Sequence, residues 1–132
     1  MAAVKLGAAS AIGVEIDSVA VDCAKEYVVL NGLNDQIGII AGTLADLPQG
    51  RRTTADLVLA NLDRQTVLDL ADDLVCSALR GASIMVSGIL VEQQTEIMDR
   101  LSSLGLVCLE RREEEGWVAL KFIRPESCDG EI

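Results

Sequence analysis

The sequence predicts an α/β domain with a mostly parallel sheet. Short apolar runs alternate with amphipathic stretches of about a dozen residues, which is the pattern of repeated βα units. The chain has 132 residues, 50% of them hydrophobic, so it can bury roughly two-thirds of its unfolded surface around one core. With no internal repeat and no linker, we expect one domain over residues 1–132, with a flexible tail over 126–132.

The first half of the chain predicts three strands, Ala11–Ile16, Ile37–Ala41 and Asp56–Ala60, after the tail of a short helix over Ala2–Ala9. Asp17 is placed to cap the next helix, and Gly32 to end it. On that helix Val19, Cys23, Tyr27 and Leu30 share one apolar face, which we expect to be buried. The stretch Gly42–Thr54 is typical of a loop.

The second half predicts a helix from Asp63, a strand Ser83–Ser87 broken by Gly88, and a helix from about Glu92 to Leu104 that stops at Gly105. The first of these helices packs one apolar side, formed by Val67, Leu68, Ala71, Leu74 and Val75. Two final strands, Leu106–Glu110 and Trp117–Ile123, are joined by the short charged run Arg111–Glu115. So short a connection makes them antiparallel.

Composition excludes several classes of function. The net charge is −10, whereas binding naked nucleic acid requires clustered Lys and Arg. The absence of histidine excludes Ser-His-Asp and Cys-His catalysis and histidine-based zinc sites. The longest uncharged run, Gly81–Val91, is too short for a membrane span. We therefore expect neither a nucleic acid nor a membrane as a partner, and no metal site.

The four cysteines are widely spaced, without a C-x-x-C pair. Cys23, Cys76 and Cys108 each lie in an apolar periodic stretch, which favours reduced core thiols over a redox pair or a metal site. Reduced thiols indicate a reducing, cytoplasmic setting. The N-terminal apolar residues resemble a signal peptide only faintly, because the run continues into Gly13–Asp17 without a cleavage-like boundary.

The eleven glycines are informative by their spacing. No two of them lie two residues apart, so neither G-x-G-x-x-G nor a P-loop motif is present. The sequence therefore contains no self-contained glycine-rich phosphate or dinucleotide loop.

Polar residues follow the predicted strands, at the edge of the sheet where ligands bind in open α/β folds. Glu15 could hold the two hydroxyls of a ribose, or be an exposed acid before a helix cap. Asn61 could offer an amide to a substrate amine, or form a helix cap or Asx-turn. Glu113–Glu115 is better explained as a solvated hairpin tip than as a metal or basic-partner site. Trp117 either covers the sheet edge or hairpin, or contacts substrate.

Taken in order, these segments resemble the catalytic half of the ribosomal protein L11 methyltransferases. The matching segments are Lys5–Ala8, Gly13–Asp17, Asn31-Gly32, Asp56–Leu62, Ser87–Leu90 with Glu92-Gln93, and Glu114–Leu120. The family's enzymes use S-adenosylmethionine to methylate amino groups of ribosomal protein L11. The resemblance implies a Rossmann-like class I methyltransferase sheet with a C-terminal antiparallel hairpin.

The resemblance also implies roles for individual residues. Glu15 would hold the ribose of S-adenosylmethionine, next to Ile16 and with Asp17 as the helix cap. Thr43 and Leu44 would contact the adenine. Asn61, with Leu62 beside it, would contact cofactor, substrate or both, and is the residue expected at the reacting amine.

The sequence departs from the family pattern at Glu15, Ser18 and Thr43, where Asp, Pro and a polar acid are commoner. The family's first strand and glycine-rich cofactor loop would lie before Met1. That strand is central in the family, between the strands at Ala11–Ile16 and Asp56–Ala60. We therefore expect a partial domain that binds the cofactor weakly or not at all, with sheet edges prone to self-association.

Two other functions remain open at this point. One is a non-catalytic Rossmann-like module that pairs with a partner supplying the missing strand. The other is a methyltransferase for a different amine or amide acceptor, because Asn61 alone does not specify the acceptor.

Overall fold

A computed structural model describes residues 2–46 and 55–126 of the chain. The chain divides into two compact units, residues 1–47 and 48–132, and each has its own sheet. Positions 47–54 of the predicted loop and 127–132 of the predicted tail lie outside the described residues. The expectation of one domain over the whole length stays a prediction.

Helices and strands alternate through most of the described chain, as in repeated βα units. In order they are α1 (Ala2–Lys5), β1 (Ala11–Glu15), α2 (Ser18–Leu30), β2 (Ile37–Ala41), β3 (Ala55–Asn61), α3 (Arg64–Ser77), β4 (Ala78–Leu90), α4 (Gln94–Ser103), β5 (Val107–Glu114) and β6 (Trp117–Ile123). The described residues also contain 3₁₀ turns at Leu44–Asp46 and Val91–Gln93. The α/β class predicted from the sequence is confirmed.

The first unit has a two-stranded parallel sheet, in which Ala11 of β1 is opposite Ile37 of β2 and Glu15 is opposite Ala41. Local signals set the ends of α2 as predicted. Asp17 caps its start, and at its end Gly32 has a φ of +68°. The amides of Gly32 and Leu33 donate to the carbonyls of Val29 and Val28, at 3.0 Å each, which is a Schellman motif.

The prediction for the buried face of α2 is wrong. Tyr27 is 58% and Leu30 73% exposed, whereas Val21 and Val28 are buried. Apolar residues lie on both sides of this helix, so periodicity did not distinguish the faces. Val28 packs with Val4 and Ile37 in the core of the unit, and this contact decides which face is buried.

The second unit has a four-stranded mixed sheet in the order β3-β4-β6-β5. β3 and β4 are parallel, and β6 is antiparallel to both β4 and β5. Alternate side chains of the sheet are buried together with one side of α3 and α4. The largest of the fully buried side chains are Val67, Ile84, Val86, Ile89, Ile97, Leu101, Val118, Leu120 and Phe122. The antiparallel C-terminal hairpin and the apolar side of α3 were both predicted.

Two strands of this unit, β4 and β5, extend well beyond their predicted ends. β4 is much longer than Ser83–Ser87, and Gly88 lies within it, at a register shift against β6. β5 continues to Glu114, so most of the charged run is strand and only Glu115 and Gly116 form the turn. Pairing with β6 extends β4 past Gly88 and extends β5 through the charged run, although these residues weaken a strand locally.

The cysteines are less buried than predicted. Cys23 and Cys76 are exposed, and Cys108 is half-buried. Cys23 lies on the side of α2 that faces solvent, so its place in the apolar pattern was misleading. Cys128 lies outside the described residues.

Among the described residues, β1 pairs only with β2, and β3 pairs only with β4. Each of these two strands therefore has one side without a strand partner among residues 2–46 and 55–126. In the same part of the chain, no helix is long and apolar enough to cross a membrane.

Candidate functional site

The first group of predicted site residues surrounds the carboxyl ends of β1 and β2. Glu15 is the last residue of β1 and is exposed. Its backbone carbonyl accepts a hydrogen bond from the amide of Gly42 at 2.8 Å, which ties the two strand ends together. Asp17 caps α2 by accepting from the amide of Val19 at 2.9 Å. The cap of α2 is therefore Asp17 and not the Glu15 carboxylate.

The other residues of this group follow the same strand ends. Ile16 is 69% exposed directly after β1, and Thr43 and Leu44 are half-buried directly after β2. The Thr43 amide donates to Oδ2 of Asp46 at 2.7 Å. The Asp46 carboxylate lies over Gly42, where a Cβ would collide with it, and Gly42 has a φ of +134°.

The second group begins at the carboxyl end of β3. Asn61 is the last residue of β3, is exposed, and pairs with Ser87 of β4. The amide of Leu62 donates to the Ser87 carbonyl at 3.3 Å, so the parallel pairing extends one residue further. Both residues thus lie at the edge of the sheet where the sequence predicted them.

The helix cap at this edge is formed by Asp63 and not by Asn61. Oδ1 of Asp63 accepts from the Thr66 amide at 2.8 Å, and α3 begins at Arg64. The pKa of Asp63 lies below its ordinary value, because hydrogen bonds from the Thr66 backbone and side chain stabilise the carboxylate, with a smaller contribution from Arg64. The Asn61 amide is therefore available for another role.

Gly88 lies next to the side chain of Asn61. It has a φ of +83°, and a Cβ at this position would approach Oδ1 of Asn61 to under 3.0 Å. Gly88 also lines an open cleft of about 490 Å³, together with Ser87, Arg112, Glu114 and Trp117. Trp117 is 53% exposed, so its ring contributes a large apolar surface to the cleft.

The acidic run near the hairpin is exposed, as predicted for a solvated tip. Glu113 is paired with Arg111, and Nε of Arg111 donates to Oε1 of Gln94 at 2.6 Å. Within residues 2–46 and 55–126, no cluster of three His, Cys, Asp or Glu side chains could hold a metal ion. The run is a strand end stabilised by local ion pairs.

The structure thus gathers the predicted residues in two groups. Glu15, Ile16, Thr43 and Leu44 lie at the carboxyl ends of β1 and β2. Asn61 and Leu62 lie at the carboxyl end of β3, beside Ser87 and Gly88 of β4. Sequence reasoning missed Asp46 and the contact between Gly88 and Asn61. The three-residue spacing from Thr43 to Asp46 is a pattern that could have indicated the role of Asp46. No local pattern in the sequence indicates the contact between Gly88 and Asn61.

The family model described as ribosomal protein L11 methyltransferase (PrmA) matches residues 1–125. A ribosomal protein L11 methyltransferase of Carboxydothermus hydrogenoformans is 35% identical over 120 residues, which are 91% of this chain and 38% of that protein. One from Clostridium botulinum is 38% identical over 117 residues, or 89% of this chain and 36% of that protein. The chain thus spans less than two-fifths of these curated relatives.

Solved structures of other proteins match the fold of this chain over most of its length. The crystal structure of a ribosomal protein L11 methylase from Lactobacillus delbrueckii subsp. bulgaricus matches with a TM-score of 0.84 at 28% identity, covering 94% of this chain and 62% of that one. TYW2 of P. horikoshii, solved in complex with MeSAdo, matches with a TM-score of 0.73 at 20% identity, covering 89% and 49%. The fold is that of Rossmann-like class I methyltransferases.

The family match covers nearly the whole chain, and three of the segments that carry the sequence resemblance, Gly13–Asp17, Asp56–Leu62 and Ser87–Leu90, lie at the strand ends described above. This chain therefore belongs to the ribosomal protein L11 methyltransferase family.

Proposed function

We propose that this chain is part of an S-adenosylmethionine-dependent N-methyltransferase that acts on amino groups of ribosomal protein L11. The observation that carries the proposal is the amide of Asn61, exposed at the carboxyl end of β3 and close to Gly88 at the wall of an open cleft. Membership of the family supports the reaction class and the acceptor.

The residues at the ends of β1 and β2 fit the adenosine part of the cofactor. A carboxylate at the end of an early strand can accept hydrogen bonds from two adjacent ribose hydroxyls, and Glu15 is exposed in that place. Ile16, 69% exposed, provides an apolar surface for a purine ring. Thr43 and Leu44, which follow the end of β2, complete the proposed adenine contact.

When bound, S-adenosylmethionine supplies an electrophilic methyl group. On the acceptor side, the carbonyl oxygen of Asn61 accepts an N–H of the incoming amine, so that the nitrogen lone pair remains free for an in-line attack. Leu62 borders the same position. A neutral amine needs orientation more than activation, and this agrees with the absence of histidine in the sequence.

The proposal includes weak cofactor binding by this chain alone. The sequence has no G-x-G loop, and such a loop is what cradles the polar end of a nucleotide-like cofactor against backbone amides. Isothermal titration calorimetry with S-adenosylhomocysteine tests this. We expect weak heats without saturation in the micromolar range; a low-micromolar dissociation constant would contradict it.

Ribosomal protein L11 is the proposed acceptor. The net charge of −10 suits a basic protein partner better than RNA. A methyl-transfer assay on the complete family protein, with L11 offered against free lysine and unrelated basic proteins, tests the acceptor. Preferential labelling of an unrelated amine or amide would favour the alternative methyltransferase function. A reducing, cytoplasmic setting belongs to the same proposal and agrees with the free thiols of Cys23 and Cys108.

A second candidate function is a non-catalytic module that binds a partner through strand addition. It is favoured by β1 and β3, each of which pairs on one side only within the described residues. Light scattering tests it, because a strictly monomeric, well-folded chain with a closed sheet would exclude it.

A further inference from the structure

Gly88 occupies an unusual position within a strand. It lies in β4, where the pairing with β6 shifts register between Val86 and Ile89, and its φ of +83° is one that residues with a side chain rarely adopt. The residue before it, Ser87, pairs with Asn61 of β3. The bulge thus brings the backbone of Gly88 beside the end of β3.

The side chain of Asn61 fills the space that a side chain at position 88 would need. A Cβ on Gly88 would lie under 3.0 Å from Oδ1 of Asn61, 3.6 Å from its Cγ, and 3.4 Å from the carbonyl oxygen of Leu62. The amide oxygen is therefore the nearest end of the Asn61 side chain. A Gly88 hydrogen faces it in place of Cβ, which is the geometry of a Cα–H···O contact.

Two backbone features hold this arrangement. The Leu62 amide donates to the Ser87 carbonyl at 3.3 Å, and Asp63 caps α3 immediately afterwards. The backbone on both sides of Asn61 is therefore fixed by pairing and by a helix start. The remaining freedom lies in the side-chain torsions of Asn61, which the contact with Gly88 restricts.

We infer that Gly88 is a positioning residue that sets the direction of the Asn61 amide. The inference rests on the proposed function, in which Asn61 accepts an N–H of the incoming amine. Because Gly88 also lines the cleft, an amine that reaches Asn61 through the cleft passes the backbone at this bulge. Any side chain at position 88 turns the amide oxygen away, and an orientation error of this kind reduces the rate of a reaction that depends on positioning.

The test compares Gly88→Ala with Gly105→Ala. Gly105 has a similarly positive φ of +96° but no atom within 4 Å of its Cβ position, so it controls for backbone strain alone. We expect Gly88→Ala to raise the unfolding equilibrium constant about tenfold more than Gly105→Ala, because it adds overpacking to the strain. In the Asn61→Ala background this excess disappears, since Oδ1 is gone.

The orientation itself is read from the side-chain NH₂ signals of Asn61 in ¹⁵N NMR spectra. We expect these signals to shift in Gly88→Ala and to stay in place in Gly105→Ala. Unchanged Asn61 signals in folded Gly88→Ala would overturn the inference, because a purely structural glycine would affect stability alone. If Gly88→Ala does not fold, recovery of folding in the double variant with Asn61→Ala supports the inference, and failure to recover overturns it.

The link to the acceptor is tested with glycinamide, whose amine is uncharged at mildly alkaline pH. We expect it to shift the Asn61 side-chain signals in the unmodified chain and in Gly105→Ala, and to shift them at least several-fold less in Gly88→Ala. Equal responses in all three chains would overturn the inference while leaving the proposed acceptor site in place. No response in any chain would instead contradict the proposed role of Asn61, and the role of Gly88 with it.

Discussion

At the scale of single residues, the ends of β1 and β3 are each followed closely by an aspartate that caps the next helix. Asp17 and Asp63 cap the helices that follow β1 and β3. Glu15 and Asn61 are exposed and do not cap these helices. The pairs Glu15–Asp17 and Asn61–Asp63 are alike: a polar residue ends a strand, and an aspartate shortly afterwards caps the next helix. The strand-end residue is then available to a ligand.

Replacing Glu15 by Gln tests the proposed ribose contact. We expect the association constant for S-adenosylhomocysteine to fall about tenfold, because a charged hydrogen-bond acceptor is lost. Glu26→Gln, on an exposed position of α2, is the matched control and should leave binding unchanged. NMR titration measures both, and equal affinity of Glu15→Gln and the unmodified chain would refute the contact.

Asp63 predicts a pH dependence of stability. Its pKa is lowered in the folded chain by hydrogen bonds from Thr66, so the unfolded state binds the proton more tightly. The stabilisation is therefore complete above the ordinary pKa of an aspartate, about 3.9, and is lost as the pH falls through the lower pKa of the folded state.

The corresponding measurement is urea unfolding between pH 6 and pH 2 (about the range that brackets an aspartate pKa). We expect Asp63→Asn to remove part of the acid-induced loss of stability while keeping a capping side chain. An acid dependence identical in Asp63→Asn and the unmodified chain would show that this carboxylate does not contribute.

At the scale of secondary-structure elements, local signals set the helix ends. The cap at Asp17 leads to a direct prediction: Asp17→Ala lowers the free energy of unfolding by about 1 kcal/mol, because the amides of Val19 and Ala20 lose their acceptor. Chemical denaturation measures it. Asp22→Ala, an exposed substitution within α2, should have a smaller effect, and equal effects would argue against the cap.

The hairpin between β5 and β6 predicts a stabilising substitution. Glu115 and Gly116 have φ values of +53° and +83°, as in a type I′ turn, where Asn is favoured over Glu at the first position. We expect Glu115→Asn to raise the free energy of unfolding by about 0.5 kcal/mol. Glu115→Gln removes the same charge without easing the backbone, so a similar gain there would point to charge repulsion as the cause.

The elements also show where sequence reasoning was sufficient. Asp17, Gly32 and Gly105 mark helix ends through contacts a few residues away, and those ends were predicted. The buried face of α2 and the length of β4 depend on packing with Ile37 and pairing with β6, which are distant in the chain. Glu15 and Asn61 stand at the ends of apolar runs, so their positions at strand ends were predicted. The contact of Asn61 with Gly88 joins residues that are distant in the chain, and it was not predicted.

At the scale of the whole molecule, one side of β1 and one side of β3 have no strand partner within the described residues. On β3, Leu57 is 45% and Leu59 62% exposed. Apolar edge strands favour association, whereas a net charge of −10 opposes it through repulsion that salt screens.

We therefore expect concentration-dependent association that increases with ionic strength, measured by multi-angle light scattering. Leu59→Lys should reduce it, because a lysine on an edge strand disfavours strand addition. Leu30→Lys, on an exposed position of α2, is the control and should change it less. A chain that stays monomeric at every salt concentration, or equal effects of the two variants, would contradict association through β3.

The residues at the carboxyl ends of β1, β2 and β3 are the proposed cofactor and acceptor contacts of an L11-type methyltransferase. The most direct test is a ¹⁵N NMR titration of the chain with S-adenosylhomocysteine. We predict weak, fast-exchange shifts concentrated at Glu15, Ile16, Thr43 and Leu44, with a smaller change at Asn61. Shifts confined to the outer faces of the helices would contradict the proposed contacts, and saturation at low-micromolar concentration would contradict weak binding.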